Sequence, residues 1–260
     1  MAAAQGNVNC ARSAWVPFNM PPRKTLLSWS TGKDSAWALN RLRRDLTVEL
    51  VGLVTTVNAR YGRVAMHGVA RALLEAQAVA ARLPLFVLPI PDPCPNAVYD
   101  ETMAAFVAGQ AAAGVEAMAF GDLFLADIRH YREAMLAGTG IAPLFPLWGQ
   151  DTAALAREMI DGGVAAYITS LDPTRLGEGF AGRAFDRQLL AELPTGIDPC
   201  GERGEFHTFA CAGPMFARPL AVTPGAIVRR GGFVFCELTA SSAVGAPDHG
   251  PEPCLEGGQP

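Results

Sequence analysis

The chain has 260 residues, half of them apolar and 18% charged, with a formal net charge of −4. That composition supplies a core of ordinary size for one domain or two closely joined ones, and the acidic balance argues against the broad basic surface that duplex nucleic acid selects. No apolar stretch is long and unbroken enough to span a bilayer, and six scattered cysteines without a C-x-x-C pair indicate neither a zinc ribbon nor a dithiol redox site, which fits a reduced, cytoplasmic setting.

In chain order, residues 1–23 read as a flexible leader. From Lys24 the pattern alternates: strand over 25–30, helix over 34–44, strand over 50–56, helix over 69–82, strand over 85–89, helix over 97–113 and strand over 117–120. This rhythm predicts an α/β fold with a parallel sheet flanked by helices. A second block follows: helix over 126–137, an apolar segment over 141–147, helix over 152–162, strand over 164–170, an acidic and aromatic segment over 200–216, and a final hairpin around 229–232. Residues 241–260, rich in Gly, Pro and acidic side chains, read as a disordered tail. The chain therefore divides into an alternating block over 24–125 and a second block over 126–240.

The most informative stretch is Leu26-Leu27-Ser28-Trp29-Ser30-Thr31-Gly32-Lys33-Asp34-Ser35. An apolar strand runs into a small turn that opens a helix, so backbone N–H groups and the positive end of the helix dipole converge on one spot, where an anion is favoured. The spacing differs from G-x-x-x-x-G-K-[ST], which needs glycine at Leu27 and Ser or Thr at Asp34. In parallel sheets ligands sit beyond the carboxyl ends of the strands, where this turn falls, and Gly121-Asp122 falls at a second such end.

Ser30 to Ser35 resemble the S-G-G-K-D-S signature of the PP-loop ATP pyrophosphatases, with Thr31 in place of the first glycine. Taken with Met66-His67-Gly68, Phe120-Gly121-Asp122, Phe145-Pro146-Leu147-Trp148 and Pro199-Cys200-Gly201-Glu202-Arg203-Gly204-Glu205-Phe206-His207-Thr208, the chain over about 24–220 resembles the diphthine ammonia ligase family of the adenine nucleotide alpha hydrolase superfamily. The resemblance implies a HUP-type doubly wound parallel sheet that binds ATP and a smaller C-terminal α+β domain that helps form the substrate site. It also implies a reaction in which ATP is split to AMP and pyrophosphate while a carboxylate, borne by a small molecule or a protein, is adenylated and then amidated by ammonia.

On that reading Ser30, Thr31, Gly32, Lys33, Asp34, Ser35 and Gly121 bind the nucleotide. Lys33 is the cation for charge developing at the α-phosphate, since a lysine at a helix N-terminus is unfavourable unless an anion offsets it. Thr31 crowds the turn, although its hydroxyl offers a compensating donor. Asp34 either caps the helix or supports Mg²⁺. Asp122 meets the metal or the substrate, the alternative being a cap for the helix from Ala126. Arg129 is a lesser candidate for an anionic group; for it and Arg132, surface pairing with Glu133 or Asp127 is the default. Glu202, Glu205 and His207 form a titratable cluster able to orient ammonia or accept its proton, with Glu205 and His207 expected on one face of a strand. His67 is structural by default, Cys200 a buried apolar group, and Trp29, Trp37 and Trp148 core or pocket walls. Two alternatives are sulfur transfer to RNA, which would place the chemistry on Cys200, and a non-catalytic nucleotide sensor. The oligomeric state is left open, a homo-oligomer included.

Overall fold

A computed structural model describes residues 21–240. The expected leader up to residue 20 and the tail over 241–260, with Cys10 and Cys254, lie outside the described residues. Five parallel strands, β1 (Arg23–Ser28), β2 (Val48–Asn58), β4 (Leu85–Ile90), β5 (Ala117–Ala119) and β6 (Ala142–Leu144), form the first sheet in the order β4-β2-β1-β5-β6. The chain steps outward from β1 through β2 to β4 and then returns to β1's other edge at β5. The order of strands thus reverses beside β1, where open parallel sheets bind ligands. The short β3 (Arg63–Val64) runs antiparallel to the end of β2. Since β4 already occupies one edge of β2 there, β3 lies on β1's side, overhanging β1's carboxyl end.

Helices α1 (Lys33–Leu42) and α2 (Arg71–Ala81) share one core with Leu27, Leu53 and Ala119. Side chains of α3 (Asn96–Ala112) and α4 (Ala126–Leu136) share the other with Leu26, Val54 and Met118. Consecutive β1 leucines thus point to opposite faces, the period-two alternation of a strand buried on both sides. After α5 (Thr152–Asp161), a four-stranded antiparallel sheet is built from β7 (Ala165–Leu171), β8 (Phe206–Ala212), β9 (Val222–Arg230) and β10 (Phe233–Ala240) in the order β8-β7-β10-β9. A one-turn 3-10 segment (Glu178–Phe180) and the short α6 (Arg187–Glu192) lie between β7 and β8.

The α/β class with a smaller C-terminal α+β part is as expected, and the hairpin expected around 229–232 is one edge of the four-stranded antiparallel sheet. Three elements were not anticipated: β3, the 3-10 turn and α6. The apolar 141–147 segment contributes only a three-residue strand. Among the described residues no helix is long and apolar enough to cross a membrane, and Cys94, Cys200, Cys211 and Cys236 are free thiols.

The second sheet grips the turn after β1. The Ala210 N–H donates to Thr31 O at 2.9 Å, and the Lys33 N–H donates to Thr208 Oγ1 at 3.0 Å. Gln77 of α2 donates to both Thr31 O and Ala210 O while accepting from the Trp29 indole, all at 3.0 Å or less. Buried polar groups fully satisfied in this way fix a geometry that an apolar contact would leave loose.

Candidate active site

A cavity of about 560 Å³ opens over the carboxyl ends of β1, β2 and β5. Its walls come from the turn after β1 (Ser30, Asp34, Ser35), the loop after β3 (Ala65, Met66, His67), the loop after β5 (Gly121, Asp122), Arg132 of α4, and the 200–208 segment of the second sheet (Cys200, Gly201, Glu202, Phe206, His207, Thr208). Residues far apart in sequence thus meet around one space. Gly121 makes the closest approach possible: a Cβ there would lie 3.0 Å from Ser35 N and 3.1 Å from Asp34 C.

The α1 N-terminus has no side-chain cap from Gly32, and Thr208 takes its first amide instead. Ser30 and Ser35 hydroxyls lie 3.2 Å apart at its mouth. These hydroxyls, with the helix's positive end, make an anion cradle. Thr31 sits in the left-handed region at φ 74°, fully buried, and its Oγ1 meets no partner. The compensating hydrogen bond expected of that hydroxyl is therefore not made within the protein. A β-branched residue in this region is strained, and a buried unpaired hydroxyl adds to the cost. Thr31→Gly is expected to raise stability by about 1 kcal/mol in chemical denaturation, relief of strain and desolvation outweighing the lost methyl and the freer unfolded chain. Lower stability would show that the methyl packing dominates.

Lys33 is 1% exposed and does not itself line the cavity, whereas its partners do. Its ammonium donates to Asp34 Oδ2 at 2.9 Å and to the Cys200 carbonyl, and lies 5.2 and 5.3 Å from the Phe185 and Phe206 ring centres. The expected direct approach of this amine to a bound phosphate is thus replaced by a position behind Asp34. Burial acts to lower the Lys33 pKa, but Asp34 together with Cys200 and Glu202 outweighs it and the net shift is upward. Burial pulls Asp34 upward too, toward its neutral form. These two pulls favour opposite states, and the 2.9 Å contact decides for the ion pair. Asp34 Oδ1 remains buried and without a partner.

Asp122 faces Arg132 across 3.6 Å, and the guanidinium lies 5.0 Å from the Phe120 ring centre. Burial raises the Asp122 pKa, and Arg132 partly offsets it. Asp122 does not cap α4, whose N-cap position is Leu125. Arg129 pairs with Glu133 at 2.7 Å, its default, while its guanidinium lies 4.8 Å from both the Phe145 and Trp148 ring centres.

The 198–205 loop is braced from inside by two carboxylates. Asp198 Oδ1 accepts the N–H groups of Cys200 and Glu202 at 2.9 and 3.2 Å, and its Oδ2 accepts the Thr152 hydroxyl. Glu205 is fully buried, accepts the N–H groups of Asp198 and Arg203 at 3.1 and 2.9 Å, and lies outside the cavity wall. Glu205 therefore does not join Glu202 and His207 in a substrate-facing cluster. It precedes β8, which begins at Phe206, so the expected shared strand face does not exist. Gly201, at φ 70° and with Phe206 O 2.6 Å from where a Cβ would stand, allows the loop to turn.

What the brace presents is Glu202. Its Oε1 accepts the Leu123 N–H at 2.7 Å, tying the second sheet to the loop after β5. Burial raises its pKa to about 7; the Leu123 N–H opposes the shift, and the Asp34 and Asp122 carboxylates add to it. Between the ordinary value near 4.5 and about 7 the folded protein holds a proton here that the unfolded chain has released, so stability falls as pH rises through that window. Urea titrations across it should show wild type losing stability relative to Glu202→Gln; parallel curves would show an ordinary carboxylate.

Two histidines complete the wall. His67, structural by default in sequence, lies against His207 with ring centres 4.6 Å apart. Cys200 is the buried thiol expected, its Sγ directed at Thr152 O and its pKa pushed up by burial. Trp29 and Trp37 are core residues, and Trp29 also reaches the cavity.

Residues 151–242 match the family model of the diphthamide synthase C-terminal domain. Three curated relatives are diphthine–ammonia ligases. The zebrafish protein is 33% identical over 105 residues, covering 38% of this chain and 41% of the relative. The human protein is 31% identical over 124 residues, covering 44% and 45%. The cattle protein is 29% identical over 134 residues, covering 48% of each. The matched region thus spans less than half the length of these relatives.

Proposed function

We propose that this chain is a member of the diphthine ammonia ligase family, an ATP-dependent ligase that releases AMP and pyrophosphate as it activates a carboxylate and joins it to ammonia. The observation that carries this reading is the convergence of the 30–35 turn with Glu202 and His207 on one cavity, an anion cradle facing a set of proton-handling groups. The match of residues 151–242 to the diphthamide synthase C-terminal domain and the names of the relatives support it.

In this reading the α1 N-terminus and the Ser30 and Ser35 hydroxyls receive the triphosphate, Gly32 and Gly121 let backbone come close to it, and Lys33 supplies a fixed positive charge behind Asp34. Mg²⁺ fits the donors present. Asp34 Oδ1 is unpartnered, and among the described residues there is no group of three or more His, Cys, Asp or Glu side chains that could hold a metal alone. Asp34 would therefore hold the ion together with phosphate oxygens, the usual sharing for magnesium, which neutralises charge on the leaving pyrophosphate when bound. Asp122, with Arg132, and Glu202 line the same cavity and would face the reacting carboxylate. The protonated, buried Cys200 thiol counts against sulfur transfer.

Incubation with ATP, Mg²⁺, ammonium and a diphthine-bearing protein is expected to give AMP, pyrophosphate and the amidated product in equal amounts. Formation of ADP and phosphate would overturn the reading.

A further inference from the structure

The reading of the phosphate cradle makes no use of the two imidazoles that line the same cavity. His67 Nδ1 lies 3.0 Å from the carbonyl oxygen of Thr208. A carbonyl only accepts, so Nδ1 carries the hydrogen and Nε2 is left as a lone pair. The His67 Cε1 lies 2.9 Å from where a Cβ on Gly32 would stand, so the ring is seated directly on the turn after β1. His207 lines the same cavity, and its Nε2 is buried with no partner. A buried nitrogen left unpaired is costly and marks a place for a group that can complete it.

Burial lowers both pKa values, His207 to about 4 and His67 well below its ordinary value; the neighbouring imidazole adds to the shift of His67, and the Lys33 ammonium adds to both. Both rings are uncharged near neutrality. Two uncharged rings bring no positive charge to a phosphate, and the His67 Nε2 lone pair accepts a hydrogen bond. They suit a small neutral molecule that donates N–H hydrogen bonds while keeping its own lone pair free.

We propose, resting on the ligase reading, that His67 and His207 form the ammonia subsite, in which His207 carries its hydrogen on Nδ1, uncharged NH₃ donates to Nε2 of each ring, and its lone pair is directed at the activated carbonyl. Ammonium gives up its proton to bulk water on entry. Attack forms the C–N bond and breaks the bond between the acyl carbon and the adenylate oxygen, which departs with the electron pair as AMP. The nitrogen then sheds one proton to the departing phosphate or to water, leaving the amide.

The half-reactions separate this proposal from the reading on which it rests. Exchange of labelled pyrophosphate into ATP, dependent on a diphthine-bearing protein, needs no ammonia; its absence in the wild-type chain would overturn both. His67→Asn keeps an N–H donor near Thr208 O and removes Nε2, while His207→Gln retains a polar group near Nε2 and His207→Leu does not. His67→Asn and His207→Leu are expected to raise the KM for ammonia about tenfold, the loss of one hydrogen bond, while pyrophosphate exchange is retained, and His207→Gln to raise it less than His207→Leu. An unaltered KM for ammonia, or a parallel loss of exchange, would overturn the subsite.

Discussion

Lys33→Met should abolish most of the adenylation rate and lower stability at the same time. The ammonium is one half of a buried pair whose other half, Asp34, is a quarter exposed. Removing one partner of a fully buried pair costs about 3–5 kcal/mol because a charge is left uncompensated, and the exposure of Asp34 reduces this to about 2 kcal/mol. On the chemical side, loss of one preorganised charge or donor near developing negative charge costs about 10²–10³ in rate. The double variant Lys33→Met with Asp34→Asn separates the effects. Neutralising the orphaned carboxylate should recover much of the stability, measured by denaturation, and none of the pyrophosphate exchange. Recovery of both would mean that the lysine does no more than neutralise Asp34. Full stability in Lys33→Met alone would mean that the pair is not held as the 2.9 Å contact shows.

The position of Lys33 also marks the limit of what the sequence discloses. The 30–35 turn was legible because strand, turn and helix are local events: apolar residues of period two, then a glycine, then residues of period near 3.6. Gly121-Asp122 was legible by the same logic applied to β5. The boundaries of α1, α2, α3, α4 and α5 fall within two residues of those the pattern indicates. What periodicity could not show was the contacts set by partners distant in the chain. Lys33 looked free for a ligand because nothing near it in sequence shows that the Cys200 carbonyl lies beside it. His67 looked like an isolated histidine because its partner, His207, arrives on another sheet. The two-residue β3 has no periodicity to read, and its importance lies in overhanging β1, a matter of register. For α6 a local signal did exist, since the Asp186 side chain accepts the Leu189 N–H at its start, but six residues are too few to show a helical stripe.

Glu205 is where local reasoning and tertiary structure diverge most, and its replacement gives the second large effect. Both carboxylate oxygens are engaged, one on the Asp198 N–H and one on the Arg203 N–H, with Arg175 3.8 Å away and no exposure to solvent. In Glu205→Gln one of these N–H groups must face an amide NH₂ instead of an oxygen, which leaves a buried donor unpaired and removes a charge-assisted bond. A loss of about 2–4 kcal/mol follows, read as a lower urea midpoint with an unchanged slope. Turnover should fall only as far as the 198–205 loop loosens its hold on Glu202, and high concentrations of substrate should restore part of it. Glu202→Gln predicts the reverse: a protein at least as stable as wild type near pH 7, because a carboxyl that resists ionisation has been replaced by a neutral group, yet with depressed turnover. Two glutamates three residues apart in one motif thus divide the work, one holding the loop and the other facing the reaction. A Glu205→Gln chain of wild-type stability and lost turnover would reverse that division and put the Glu205 carboxylate on the substrate.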